Sequence, residues 1–162
     1  MVSAAACNTL SPKLTPVPPV QTVPADAKGH AILVADDPVI ETRDPVHIQR
    51  AKDANVPHDY KVAMIEALKL AGFRVVLDKT EAHELEAKLA LAVDESTGKV
   101  RQTYRCAVKR ADGTLVQQVD WAWPEGTYVG EFDVYDFATH NLASEVARSR
   151  SVLDELRKSP SP

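Results

Sequence analysis

The stretch "EAKLALAV", residues 86–93, sets Ala87, Leu89, Leu91 and Val93 on one side and Glu86 and Lys88 on the other. Side chains along a strand point alternately to its two faces, so this period of two marks a strand with one face buried and one wet. The pattern returns twice. In "VRQTYRCAVKR", residues 100–110, Val100, Tyr104, Cys106 and Val108 alternate with Arg101, Thr103, Arg105 and Lys109. In "LVQQVDWAW", residues 115–123, Leu115, Val119, Trp121 and Trp123 alternate with Val116, Gln118 and Asp120. Residues 94–98 and the pair Asp112-Gly113 supply turns, the second a strong hairpin signal. The three stretches predict an antiparallel meander.

Working outward, "TEAHELE" (residues 80–86) reads either as a helical turn or as the frayed start of the first meander strand. Upstream of it, "HDYKVAMIEALKLAGF" (residues 58–73) places Val62, Ile65 and Leu68 on one stripe, with Met64, Ala67 and Ala71 beside it. That is helical spacing. Asp59 suits the N-cap, and Gly72 suits a left-handed stop. "FRVVLD" then predicts a short strand. Further back, "HAILVADDPVIE" (residues 30–41) holds an unbroken apolar run from Ala31 to Ala35, bounded by Gly29 and by Asp36-Asp37-Pro38. Its length and flanks predict a strand buried on both faces. Strand, helix and strand thus form a crossover unit, with a right-handed connection expected if the strands are parallel.

Between Asp36 and His58 the chain is polar and broken by Pro38, Pro45 and Pro57. Val39-Ile40 and Val46-His47-Ile48 are candidates for short strands within a long connection. Long connections of this kind are often functional or mobile. At the other end of the chain, residues 137–157 predict a second helix capped by Asp136. Its apolar stripe is Ala138, Leu142, Val146, Leu153 and Leu156, with Ser149 a gap. The expected fold is a single α+β domain over residues 30–158, with a short tail at 159–162. It is a two-layer sandwich, its mixed sheet of four or five strands covered on one face by two helices.

The 162 residues are 44% hydrophobic and 26% charged, with a net charge of -4, which suits a soluble globular domain. The mildly acidic balance gives no electrostatic reason to bind nucleic acid. No apolar run reaches the roughly 18 to 20 residues that cross a bilayer. Cys7 and Cys106 are the only cysteines, so neither a disulfide framework nor a zinc site is indicated.

The run Ser3-Ala4-Ala5-Ala6-Cys7 puts small residues directly before a cysteine, and it resembles the lipobox of bacterial lipoproteins. The resemblance implies that Cys7 is the lipid-bearing first residue of a processed protein, with the basic and apolar parts of a signal peptide ahead of Met1; the alternative is a cytoplasmic protein in which the match is chance. An aliphatic residue is the usual choice where Ala4 stands. Pro12, Pro16, Pro18, Pro19 and Pro24 follow, and such a segment favours extended geometry and acts as a semi-rigid spacer. Residues 1–29 are therefore expected to be an anchor and tether.

A second resemblance is carried by "EALKLAGFRVV", "AHELEAKLALAV" and "RADGTLV", which span roughly residues 59–123. It is to small α/β domains of bacterial envelope lipoproteins: the curli-secretion lipoprotein, the activators of penicillin-binding proteins, and the N-terminal domain of the Tol-system propeller protein. Those proteins mostly bind or activate other envelope proteins. The resemblance implies an outer-membrane-anchored periplasmic module with an envelope protein as partner, and it carries over no catalytic residue.

The chemistry-bearing residues give no enzyme signature. His47 and His58, with Asp36, Asp37, Asp44 and Asp59, lie in or beside the long connection without a short histidine pair or a nearby thiolate, and read as a solvated loop. No metal or cofactor is expected. Asp36-Asp37 follows a buried strand, where α/β proteins often place ligands, but suits a plain turn before Pro38. Cys106 alternates inward and reads as a small buried residue. Trp121 and Trp123 share a strand face, either as core or as an exposed platform. Tyr128, between Gly126 and Gly130, together with Phe132, Tyr135 and Phe137, gathers the aromatics in one part of the chain. Trp121, Trp123, Tyr128, Phe132 and Tyr135 are the expected partner-binding residues. The alternative is a soluble ligand-binding or enzymatic domain using the connection between Asp36 and His58.

Overall fold

Strand β4 (Leu85–Asp94) is the axis of the molecule, and the residues of the opening stretch lie along it. The structure is a computed structural model that describes residues 14–95, 100–124, 133–160 and 162. On one side β4 pairs antiparallel with β5 (Arg101–Arg110), in register Leu89↔Cys106 and Leu91↔Tyr104. β5 pairs antiparallel in turn with β6 (Leu115–Ala122), in register Cys106↔Val119 and Tyr104↔Trp121. The meander forms as predicted, but two of its face assignments are corrected: Val100 and Leu115 are exposed, and a bulge in the β5–β6 pairing at Val108 and Lys109 lets Val116, expected on the wet face, pack against the core. Its second turn has Gly113 at φ 88°, and Asp112 accepts from the Thr114 amide at 2.8 Å.

On its other side β4 takes two short parallel strands end to end. β1 (Ala31–Leu33) lies beside Leu85 and Glu86, and β2 (Val39–Glu41) lies beside Ala90, Leu91 and Ala92. β3 (Arg74–Val76) pairs parallel with β1 and closes that edge. The sheet has six strands, one more than the upper expectation, because β1 and β2 divide one edge of β4 between them. Ile32 faces the helices while Ala31 and Leu33 join Val76 in a small cluster on the opposite face, so β1 is buried on both sides as its unbroken apolar run predicts.

The helices cover one face. Leu85, Ala87, Leu89 and Leu91 of β4, with Tyr104, Cys106 and Val108 of β5, pack with residues of helix α2 (Val56–Ala71) such as Tyr60, Met64 and Leu68. Helix α3 (Val134–Arg148) adds Leu142 and Val146, and α4 (Arg150–Arg157) adds Val152 and Leu156. The opposite face is wet and carries ion pairs. Arg105 reaches Glu41 at 2.7 Å and Asp120 at 2.9 Å, while Lys88 reaches Asp36 at 2.5 Å.

Three local expectations are corrected. Residues 46–48 form no strand; they belong to helix α1 (Pro45–Asp53). Asp44 accepts from the Val46 amide at 2.9 Å and Pro45 stands in the first turn, so cap and preset φ outweigh the β-branched residues. Helix α2 starts at Val56, not after Asp59, because Asn55 turns the chain at φ 58° and Pro57 is accepted in the first turn. The last helix is two: Ser149, read as a gap in the stripe, is extended (ψ 118°) and its hydroxyl caps α4 through the Val152 amide, while α3 begins at Val134 and not beside Asp136.

The predicted stop at Gly72 holds, with φ 104°. A Cβ there would meet Val23 Cγ2 at 3.1 Å, because residues 18–29 lie against the helical layer. Val23 is 5% exposed and donates its amide to the Ala71 carbonyl at 2.8 Å. The Gln21 amide donates to Ser144 Oγ at 2.9 Å, His140 Nδ1 donates to the Pro18 carbonyl at 2.8 Å, and Asp26 pairs with Arg157 at 2.8 Å. These contacts tie residues 18–26, expected to be part of the tether, to the helical layer.

Candidate functional site

β4 and β6 both run antiparallel to β5, so their carboxyl ends lie at the same end of the sheet. Two features occupy that end. At the β6 side, aromatic rings form a chain from core to surface. Tyr60, fully buried, meets Tyr104 edge-on with centroids 5.0 Å apart, and its hydroxyl donates to the Arg105 carbonyl at 2.7 Å. Tyr104 meets Trp121 at 6.4 Å and Tyr135 at 6.5 Å. Trp121 and Trp123 are T-shaped at 4.7 Å, and each packs on Phe137 of α3, at 5.6 and 5.4 Å. These separations fall in the range where aromatic pairs gain beyond simple burial.

The two readings of the tryptophans are both met in part. Trp121 packs against the core and Trp123 joins the same cluster, yet both stay partly exposed, as does Tyr135. The platform is where α3 begins. Tyr128 and Phe132, the other two expected binding residues, lie outside the described residues, as does Cys7.

At the β4 side, the carboxyl ends of β2 and β4 and the first turn of α1 border a cleft of about 590 Å³ lined by residues that include Glu41, Arg43, Asp44, His47, Asp94 and Glu95. His47 is not part of a solvated loop: its side chain is 10% exposed, with Nε2 2.6 Å from Glu95 Oε1. Despite that closeness Nε2 makes no hydrogen bond, so the carboxylate oxygen stands off the axis of the ring nitrogen. His58, on α2, does not join this group. No spacing signal marked Glu95 as a partner, since it lies 48 residues beyond His47 and the parallel pairing of β2 with β4 brings them together.

The other candidates are quiet. Burial pushes the Cys106 thiol up to about 12, which suppresses the thiolate a nucleophile requires. Asp36 is held down to about 2 by hydrogen bonds from Lys79 and Lys88, and Asp37 pairs with Lys61 at 3.3 Å. Both carboxylates are engaged within the chain, as a turn would have them. His30, which the sequence did not single out, is buried with Nδ1 3.2 Å from Glu84; the other Glu84 oxygen accepts from the Ala31 amide at 2.7 Å. That arrangement ties the start of β1 to the approach of β4.

No protein-family model and no curated protein matches the sequence. Among solved structures, the chain is similar to a PelC dodecamer subunit from Paraburkholderia phytofirmans, with 14% identity, a TM-score of 0.48, and coverage of 80% of this chain and 96% of that one. A homolog of a neuraminyllactose-binding hemagglutinin from Helicobacter pylori shows 12% identity and a TM-score of 0.40, over 89% of this chain and 94% of that one. A Xanthomonas campestris protein of family DUF330 shows 11% identity and a TM-score of 0.37, over 84% and 88%. At these values function has to be argued from this chain's own residues. No helix among the described residues is long and apolar enough to cross a membrane.

Proposed function

We propose that the chain is an envelope-tethered module that binds or scaffolds another envelope protein, with Cys7 as its lipid anchor and the aromatic cluster as its contact surface. The observation that carries the binding role is the ring chain from Tyr60 to Trp123. A buried aromatic stack that surfaces at a strand end supplies rigid apolar area with little rotamer entropy to lose. Trp123 stands at the end of that stack away from Tyr60, partly exposed and packed on Trp121 and Phe137. The anchor rests on the small-residue run before Cys7 and on the resemblance of residues 59–123 to envelope lipoprotein domains.

Placing a photo-crosslinking residue at position 123 in the native host tests the reading. It predicts a discrete adduct with an envelope protein, and none from the same residue at position 154 on α4. Equal labelling from both positions would remove the aromatic cluster from the account.

A further inference from the structure

We propose that Asp44, His47 and Glu95 form a site for a divalent transition-metal ion of the zinc class. The three donors offer one ligand atom each, all within 4.8 Å of one another. Around a tetrahedral zinc ion, with bonds of about 2.0 to 2.2 Å, ligand atoms stand roughly 3.3 Å apart, so the Glu95 oxygen, 2.6 Å from His47 Nε2, must draw back slightly as the three donors settle around one point.

The placement is built by the fold. Asp44 is the N-cap of α1 and His47 stands three residues on, which sets both on one side of the first turn. Asp44 Oδ1 is taken by the Val46 amide at 2.9 Å, and its second oxygen is available for an ion. Glu95 arrives from directly beyond β4, beside the carboxyl end of β2.

The independent sign is His47 itself. Its side chain is nine-tenths buried and its Nε2 has no hydrogen bond, although Glu95 Oε1 is 2.6 Å away. Buried polar atoms are almost always paired, so an unpaired one at the mouth of a cleft calls for a ligand. His47 Nε2 and Glu95 Oε1 lie close enough for both to reach one ion. The positive end of α1 opposes a cation there, as does Arg43. Asp44, Glu95, Glu41 and Asp94 border the same cleft and outnumber them, although Glu41 also pairs with Arg105. One imidazole and two carboxylates suit zinc and its neighbours better than calcium or magnesium, which prefer oxygen alone. Three protein donors leave a fourth position for water or for a side chain of a partner.

The test is calorimetric titration of zinc chloride into the untagged full chain after chelator treatment, with thermal melts in parallel. The proposal predicts one zinc per chain and a higher Tm in zinc. Glu95→Gln should weaken binding roughly tenfold or more, and His47→Ala should abolish it, while Asp154→Asn on α4 leaves it unchanged. No binding by the wild-type chain would overturn the site. So would wild-type affinity in Glu95→Gln, whose exposed side chain lets the fold be kept even if His47→Ala unfolds, or equal weakening by Asp154→Asn.

Discussion

Trp123 and Trp121 stand two residues apart on one strand face, yet substitutions at them should have different consequences. Trp123 is the outer ring of the stack, so Trp123→Ala should keep the circular dichroism spectrum while weakening partner capture by about 2 kcal/mol, the usual hot-spot scale. Trp121 packs against the core as well as against Trp123, and Trp121→Ala should cost about 2 to 3 kcal/mol in denaturant unfolding, below the full core truncation because it is partly exposed. Capture unchanged by Trp123→Ala would move the contact surface elsewhere. Asp36 makes a pH prediction. Its carboxyl is lowered to about 2 in the folded chain from the ordinary 3.8, because hydrogen bonds from Lys79 and Lys88 favour the charged form. A depressed folded value means stability present above the unfolded value and lost as pH falls through the folded one. Between about pH 4 and pH 2 the wild-type Tm should therefore fall further than that of Asp36→Asn. Parallel curves would mean the ion pairs contribute nothing, as exposed pairs often do.

At the scale of elements, the sheet makes the cleanest contrast. Leu91 is 1% exposed on the helix-facing side of β4, so Leu91→Asp places a charge in the core and should unfold the domain. Lys88 lies on the wet face with Asp36, and Lys88→Ala should change stability by at most about 1 kcal/mol. Equal damage from both would mean a covered second face. What the sequence made legible follows from period. Ala87 to Leu91 and Tyr104 to Val108 announced their strands because burial on one face imposes a fixed repeat; helical spacing announced α2, but its buried face is Tyr60, Met64, Ala67, Leu68 and Ala71, with Val62 of the expected stripe exposed. Helix α1 was missed because Val46 and Ile48 favour strands, and only the cap at Asp44 with Pro45 behind it reverses that preference. Ser149 was seen as a gap but not as a break, since a polar residue in an apolar stripe does not reveal whether the backbone kinks. The packed stretch before His30 was hidden by its prolines, which argue against a long helix or sheet pairing but permit the short 3-10 turn Ala25–Ala27 and docking. Val23→Ala should accordingly cost roughly 2 kcal/mol, as a methyl-rich side chain removed from a buried site. A negligible loss would leave those residues a mere tether.

For the molecule as a whole, the functional surfaces cluster where parallel and antiparallel pairings end together. The carboxyl ends of β2, β4 and β6 share one end of the sheet, which holds both the aromatic platform and the cleft around His47. Long-range pairing creates that proximity, so His47 with Glu95 could not be read from spacing, whereas Trp121 with Trp123 could. The proposed function requires that this end meet a partner in the envelope and that Cys7 hold the domain to the membrane. Intact-mass and peptide mass spectrometry of the protein purified from membranes of its native host tests that claim most directly. The account predicts a mature chain that begins at Cys7 and carries diacylglyceryl and acyl groups on it. A chain recovered from the soluble cytosol with residues 1–6 intact and a free Cys7 thiol would contradict it.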